Sequence, residues 1–203
     1  MKKNKISKNW INRQRRDVYV RKSKIEGYRS RAVYKLEEIN QKFKIFHNGV
    51  SVLDLGAAPG SWTQYISKNY KNIKLAAIDL NKFDDVENTF QITGDFTENI
   101  YKQKILNFFQ GKIDVIISDM AVNTTGNKNL DSIQTSELCL DAMKFSKDIL
   151  KKNGKFISKI FVGSTFNEII DESKKIFKKN KVFKPPASRK ESKESFIISS
   201  MLR

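Results

Sequence analysis

Apolar positions along this chain fall into two rhythms: short unbroken runs, and longer stretches in which apolar residues recur three and four apart. The runs predict buried strands over 50–55, 73–80, 90–93, 113–118, 155–162, 181–184 and 195–202. Between them the helical spacing predicts helices over 30–43, 61–69, 100–109, 136–150 and 167–178. In the first of these, Ala32, Val33, Leu36, Ile39 and Phe43 share an inner face, and Asn153-Gly154 reads as the stop after the fourth. Strands that alternate with helices imply an α/β fold with a doubly wound, mostly parallel seven-stranded sheet. The last two strands have no helix between them, which implies an antiparallel edge strand.

One connection stands apart. The strand ending Val52-Leu-Asp-Leu55 runs directly into Gly56-Ala-Ala-Pro-Gly60 and then into a helix that opens Ser61-Trp62. Gly56 and Gly60 allow a tight turn and a close approach by a ligand, although such a turn can also be a plain connection. Asp79 ends the next strand twenty-three residues after Gly56, where an open α/β sheet places a carboxylate beside ribose hydroxyls. The turn is neither G-x-G-x-x-G nor G-x-x-x-x-G-K-[ST], so it is not built for a dinucleotide pyrophosphate or a nucleoside triphosphate. A ligand with adenosine and no phosphate fits better, and S-adenosylmethionine is the candidate.

Composition narrows the chemistry. At 203 residues the chain can bury a core of its own without metals or disulfides. The single cysteine, Cys139, reads as a small core residue and is compatible with a reducing, cytoplasmic setting. With one histidine, His47, neither a histidine triad nor a multi-histidine metal site can be assembled, and no metal is expected. No apolar run reaches the ~18–20 residues of a membrane span, so no membrane partner is expected. The basic start lacks the apolar stretch of a secretory signal, while a transit peptide stays open.

The formal net charge of +17 is unevenly distributed. Residues 1–35 carry thirteen Lys or Arg against Asp17 and Glu26, and 174–193 carry nine against Glu191. A lysine-rich compositional bias would not concentrate charge in this way. Arginine clusters too, at Arg13, Arg15, Arg16, Arg21, Arg29 and Arg31, and its planar fork suits phosphate. A nucleic-acid partner is expected, with RNA favoured once the chemistry of the strand ends is added. Residues 1–24 read as a basic arm and 25–203 as the enzymatic domain.

Three strand ends carry candidate chemistry. In a parallel sheet Asp54, Asp119 and Lys159 come to one edge. Lys159 lies inside the apolar run Phe156-Ile-Ser-Lys-Ile-Phe-Val162, where a lysine either snorkels to solvent or sits in a cleft. A neutral amine in a dry cleft can accept a proton from a sugar hydroxyl, and Asp119 can orient it or serve as a strand-end cap.

At these residues the chain resembles the RrmJ/FtsJ family of 23S ribosomal RNA 2′-O-ribose methyltransferases. The likeness is carried by Arg29-Ser-Arg-Ala-Val-Tyr-Lys-Leu36, Asp54-Leu-Gly-Ala-Ala-Pro-Gly60 with Trp62, Gly94-Asp-Phe96, Ser118-Asp-Met-Ala121 with Asn123, Ser158-Lys159, and Ser188-Arg189 through Glu194. It implies the Rossmann-like class I fold of S-adenosylmethionine-dependent methyltransferases and a catalytic tetrad of Lys35, Asp119, Lys159 and Glu194. It implies cofactor positions at Gly60, Trp62, Asp79, Asp95 and Asp119, to which the strand-turn adds Asp54 and Gly56. The implied partner is 23S rRNA within the large ribosomal subunit, at a uridine of the peptidyl-transferase region, and the chain is expected to act as a monomer. Val122 stands where the family usually has proline, Val33 where an aromatic is common, and Ser61 where glycine is common. A relative acting on transfer RNA or an mRNA cap, or an assembly factor that binds RNA without catalysis, remains a rival reading.

Overall fold

A computed structural model describes residues 16–122 and 128–203. Thirteen elements follow in order among them: α1 (Val18–Ile25), α2 (Val33–Phe43), β1 (Ser51–Leu55), α3 (Ser61–Asn69), β2 (Lys74–Asp79), β3 (Thr89–Thr93), α4 (Asn99–Phe109), β4 (Ile113–Ser118), α5 (Lys128–Ile149), β5 (Leu150–Phe161), α6 (Phe166–Ile176), β6 (Phe177–Phe183) and β7 (Glu194–Leu202). The strands form one seven-stranded sheet of order β3-β2-β1-β4-β5-β7-β6. The first five pair in parallel, and β7 runs antiparallel between β5 and β6. The antiparallel pairing therefore lies at the expected margin, with β6 outermost.

Each face of the sheet buries its own core. Val52, Val115, Ile157, Phe196 and Ile198 pack with α2 and α3, while Leu53, Leu55, Ile116, Phe156 and Ile197 pack with α4, α5 and α6. Because side chains alternate along a strand, Asp54 points to the α3 side, between Leu53 and Leu55 of the opposite core.

Three local readings need correction. Asn153-Gly154 does not end a helix: α5 stops at Ile149 and β5 begins at Leu150. The β4–β5 register jumps from Ile113↔Leu150 to Val115↔Lys155, a bulge held by Lys151 Nζ on Asp114 Oδ1 at 2.7 Å and by Gly154, where a Cβ would stand 2.9 Å from the Lys151 carbonyl. The sixth strand is Phe177–Phe183 rather than 181–184, because α6 passes into it with no intervening loop and Phe177 is fully buried in extended conformation. The basic arm also divides. Residues 1–15, with Arg13 and Arg15, lie outside the described residues, but 18–25 is helix α1. Asp17 caps it by accepting from the Tyr19 and Val20 amides, and Gly27 at φ 69° closes it. Tyr19 holds α1 on α2 by packing 5.3 Å from the Tyr34 ring and donating to Glu38.

Candidate active site

The carboxyl ends of β1, β2 and β4 open onto a cavity of about 490 Å³ lined by Gly56, Ala58, Asp79, Asp95, Asp119 and Met120 among others. That volume suits a nucleoside-sized ligand. Glycine is required at both ends of the turn. Gly56 and Gly60 have φ of 72° and 96°, and a Cβ on Gly60 would meet Arg29 Nη1 at 2.5 Å and the Phe83 ring at 3.0 Å. The Asp79 carboxylate is fixed by the Ala58 amide at 3.0 Å and the Asn81 amide at 2.7 Å. Its remaining lone pairs can accept from a pair of hydroxyls. Asp95 is held in the same way by the amide and hydroxyl of Thr97, at 2.8 and 2.7 Å.

Asp54 and Trp62 stand elsewhere. They line a smaller adjoining cavity of about 40 Å³ that shares Gly56, Ala58 and Asp119 with the larger one. Asp54 is fully buried and accepts from the Thr63 hydroxyl at 2.6 Å. Burial pushes its carboxyl up to about 7, against the Thr63 bond and with help from the Asp119 and Asp79 charges. The Trp62 indole N–H donates to the Ala32 carbonyl at 2.8 Å, and its ring lies 5.7 Å from Phe196. Trp62 thus fixes the start of α2, the helix that carries Lys35.

The four residues of the sequence-predicted tetrad come together at the other side of Asp119. Lys159 and Glu194 face the α2 layer because Lys159 pairs with Phe196 and Phe161 with Glu194 in the β5–β7 register. Lys35, on the first turn of α2, comes down on them. Its Nζ donates to Asp119 Oδ2 at 3.2 Å and to Glu194 Oε2 at 2.9 Å. Lys159 Nζ pairs with Asp119 Oδ1 at 3.0 Å and donates to the Asp119 carbonyl. Ser188 Oγ donates to Glu194 Oε1 at 2.8 Å. The four side chains are only 8–17 % exposed.

Their charges are ordered by these contacts. Burial pulls the Lys35 ammonium down, but the Asp119 and Glu194 carboxylates outweigh it and hold Lys35 above the ordinary lysine range. Burial alone would raise the Asp119 carboxyl, yet Lys159 and Lys35 together keep it below the ordinary range. Lys35 is therefore a fixed cation between two carboxylates, whereas Lys159 touches one carboxylate and one neutral carbonyl.

Sequence reading assigned arginine to phosphate, but two of these arginines bind the protein itself. Arg29 donates to the carbonyls of Pro59, Asp84 and Asp85, and so ties the glycine turn to the loop after β2. Arg31 binds Asp17 and the Ala187 carbonyl, and Arg189 lies 3.6 Å from the same Asp17 carboxylate. The cleft also uses residues not singled out for it, namely Asn81, Met120, Leu138 and Ser188. Of these, Met120 and Ser188 lay in stretches already marked as motif. Ser61, at a position where glycine is common, bonds Ser30 through their hydroxyls at 2.7 Å. Val122 lines the larger cavity, and Asn123 lies outside the described residues.

A doubly wound sheet with a nucleoside-sized cleft at its carboxyl edge and a buried Lys-Asp-Lys-Glu cluster on the rim describes a class of group-transfer proteins, and comparison with known proteins narrows it. The family model of FtsJ-like methyltransferases matches residues 28–201. A protein of Pelagibacter ubique named ribosomal RNA large subunit methyltransferase E is 61 % identical over 203 residues, covering all of both chains. One of the same name from Rickettsia akari is 44 % identical over 95 % of this chain and 88 % of its own. A solved structure from Plasmodium falciparum, named as a ribosomal RNA methyltransferase, superposes with a TM-score of 0.77 at 32 % identity, covering 86 % of this chain and 98 % of that one. The chain belongs to the FtsJ-like methyltransferase family, and it is a methyltransferase with that family's seven-stranded fold.

Proposed function

We propose that this protein methylates a ribose 2′-oxygen, that of a uridine, in 23S rRNA of the large ribosomal subunit, with S-adenosylmethionine as donor. The observation that carries the reading is the Lys35–Asp119–Lys159–Glu194 cluster on the rim of the nucleoside-sized cavity. The names of the relatives support the substrate. When bound, S-adenosylmethionine supplies a sulfonium-activated methyl group open to in-line displacement by an oxygen.

The chain's own residues do the rest. Gly56, Gly60, Asp79, Asp95 and Asp119 would hold the cofactor, with Asp79 on its ribose hydroxyls and Asp54 and Trp62 supporting the turn from beneath. Lys35 stays charged because two carboxylates face it, and Lys159, which touches one carboxylate and the Asp119 carbonyl, is the residue placed to take the proton of the 2′-hydroxyl. Asp119 orients both lysines, and Glu194, fixed by Ser188, aligns Lys35 and the substrate hydroxyl. Holding nucleophile and donor in near-attack geometry can supply on the order of 7–11 kcal/mol of the barrier. Residues 25–203 form the methyltransferase domain and 1–24 an RNA-binding arm, and the protein acts as a cytoplasmic monomer.

The test is transfer of labelled methyl from S-adenosylmethionine to large subunits lacking the modification, with nuclease mapping. Label at a single 2′-O-methyluridine of the large-subunit RNA is expected. Cofactor binding without incorporation would overturn the substrate, and label on transfer RNA instead would favour the rival reading.

A further inference from the structure

Another cavity, of about 420 Å³, lies away from the cleft, where the end of α2 meets the margin of the sheet. Its floor is apolar, made by Phe43, Ile45 and Ile198, and its walls carry Lys155, Lys179 and Lys181. The register explains why the lysines converge. Lys155, Ser200 and Lys179 stand side by side across β5, β7 and β6, as do Lys181 and Ile198 two residues nearer the catalytic edge. One step nearer still, Phe183 pairs with Phe196, which pairs with Lys159, and Lys42 Nζ sits 4.2 Å over the Phe183 ring. The lysines thus form a file that begins level with Lys159 and ends at Lys155, four residues and roughly 13 Å back along the strand.

Among the described residues Lys42, Lys155, Lys179 and Lys181 form no ion pair, and residues 1–15 and 123–127 contain no Asp or Glu. Lys174 and Lys175 of the same basic stretch, by contrast, pair with Asp171 and Glu172. Burial pulls the Lys155 ammonium below the ordinary range, and its Nζ donates to the Lys44 carbonyl. Lysine on an outer strand also guards a sheet edge, but Lys179 and Lys181 point into the α2 face rather than off the edge. A file of cations beside an apolar floor suits a flexible polyanion with flat apolar faces, which describes single-stranded RNA.

We propose that this groove binds the sugar-phosphate backbone of the RNA strand adjoining the methylated nucleotide, with Lys42, Lys155, Lys179 and Lys181 on phosphates and Phe43 against a base or ribose. The inference rests on RNA being the substrate and adds where the strand runs. It is tested by Lys179→Glu with Lys181→Glu, which keeps charge on the edge strand, against Lys144→Glu with Lys147→Glu on α5, an equal charge change on the far layer. Binding of large-subunit RNA is measured at several salt concentrations, without cofactor and independently of turnover.

The groove variant is expected to bind about tenfold more weakly, with a salt slope smaller by about 1.4, the loss of two phosphate contacts on a single strand. Its cofactor affinity should be unchanged, and the α5 variant should bind RNA within about twofold of the parent protein. Equal weakening by both variants, or none by the groove variant, would overturn the proposal. Failure of the parent protein to methylate large subunits would count against the substrate reading alone, since the binding comparison does not depend on it.

Discussion

On one side of Asp119 the cleft is lined by Gly56, Ala58 and Gly94 with two carboxylates fixed by nearby amides, and on the other by four charged side chains that touch one another. The first region is assembled from the ends of β1, β2 and β3 and the turns that follow them. Its function depends on what is missing, because a Cβ at Gly94 would lie 2.2 Å from the Tyr101 ring and one at Gly60 would collide with Arg29. The second region gathers Lys35, Asp119, Lys159 and Glu194 from α2, β4, β5 and β7. On the proposed function, backbone shape serves binding in the first region, and mutual charge compensation serves proton handling in the second.

Asp119 belongs to both, so Asp119→Asn is expected to have the largest effect. It leaves Lys35 and Lys159 without their shared counter-charge in a nearly buried site, and removing one partner of a buried pair costs on the order of 3–5 kcal/mol. Turnover should fall by roughly 10²–10⁴-fold, as for loss of an acid-base assembly, and the cofactor Kd should rise in the same protein. Turnover and calorimetric titration together check this, and a variant altered in only one quantity would show that the regions do not meet there.

Asp79→Ala sharpens the comparison from the binding side. Losing two hydrogen bonds from hydroxyls to a charged acceptor, at about 1.5–3 kcal/mol each, should raise the cofactor Kd by at least tenfold while kcat at saturating cofactor stays within about threefold. A large fall in kcat would place Asp79 in the catalytic region instead.

Asp54 adds a pH signature. Its folded-state carboxyl keeps its proton up to about 7, against about 3.9 in the unfolded chain, so between those values the folded protein binds more protons and loses stability as pH rises. Asp54→Asn lacks that slope. Its Tm relative to the parent protein should therefore increase from pH 5 to pH 8, and a constant difference across that range would mean that Asp54 is already ionised. The smallest effect is expected from Ser188→Ala, which frees one oxygen of Glu194. A neutral donor to a charged acceptor is worth about 1.5–3 kcal/mol at most, and less at a rim, so a few-fold fall in kcat with unchanged cofactor Kd is expected.

The same contrast explains what the sequence made legible. The cofactor-side turn could be read from Val52 to Trp62 because strand, glycines and helix are contiguous, and Asp79 follows at the spacing of one strand-helix-strand unit. Composition and spacing could not join Lys35 to Glu194, which are brought together only by α2 lying across β7; the family resemblance supplied that pairing. Helix α1 was hidden by its polar composition, although Asp17 and Gly27 are the residues expected at its two ends. At Asn153-Gly154, residues that suit a helix stop serve a bulge that depends on Asp114 in a neighbouring strand. Phe177-Lys-Lys continued the helical spacing of α6, and only pairing with β7 makes it strand. The roles of Arg29 and Arg31 lie in carbonyls and a carboxylate distant along the chain, so charge alone suggested phosphate.

The separation of binding from proton transfer is tested most directly by Lys159→Ala, measured for single-turnover methyl transfer with cofactor pre-bound and for cofactor Kd in the same preparation. The account predicts a rate lower by at least about 10²-fold with a Kd within about twofold of the parent protein. A rate within a few-fold of the parent protein, or a loss of rate matched by a loss of cofactor affinity, would contradict it.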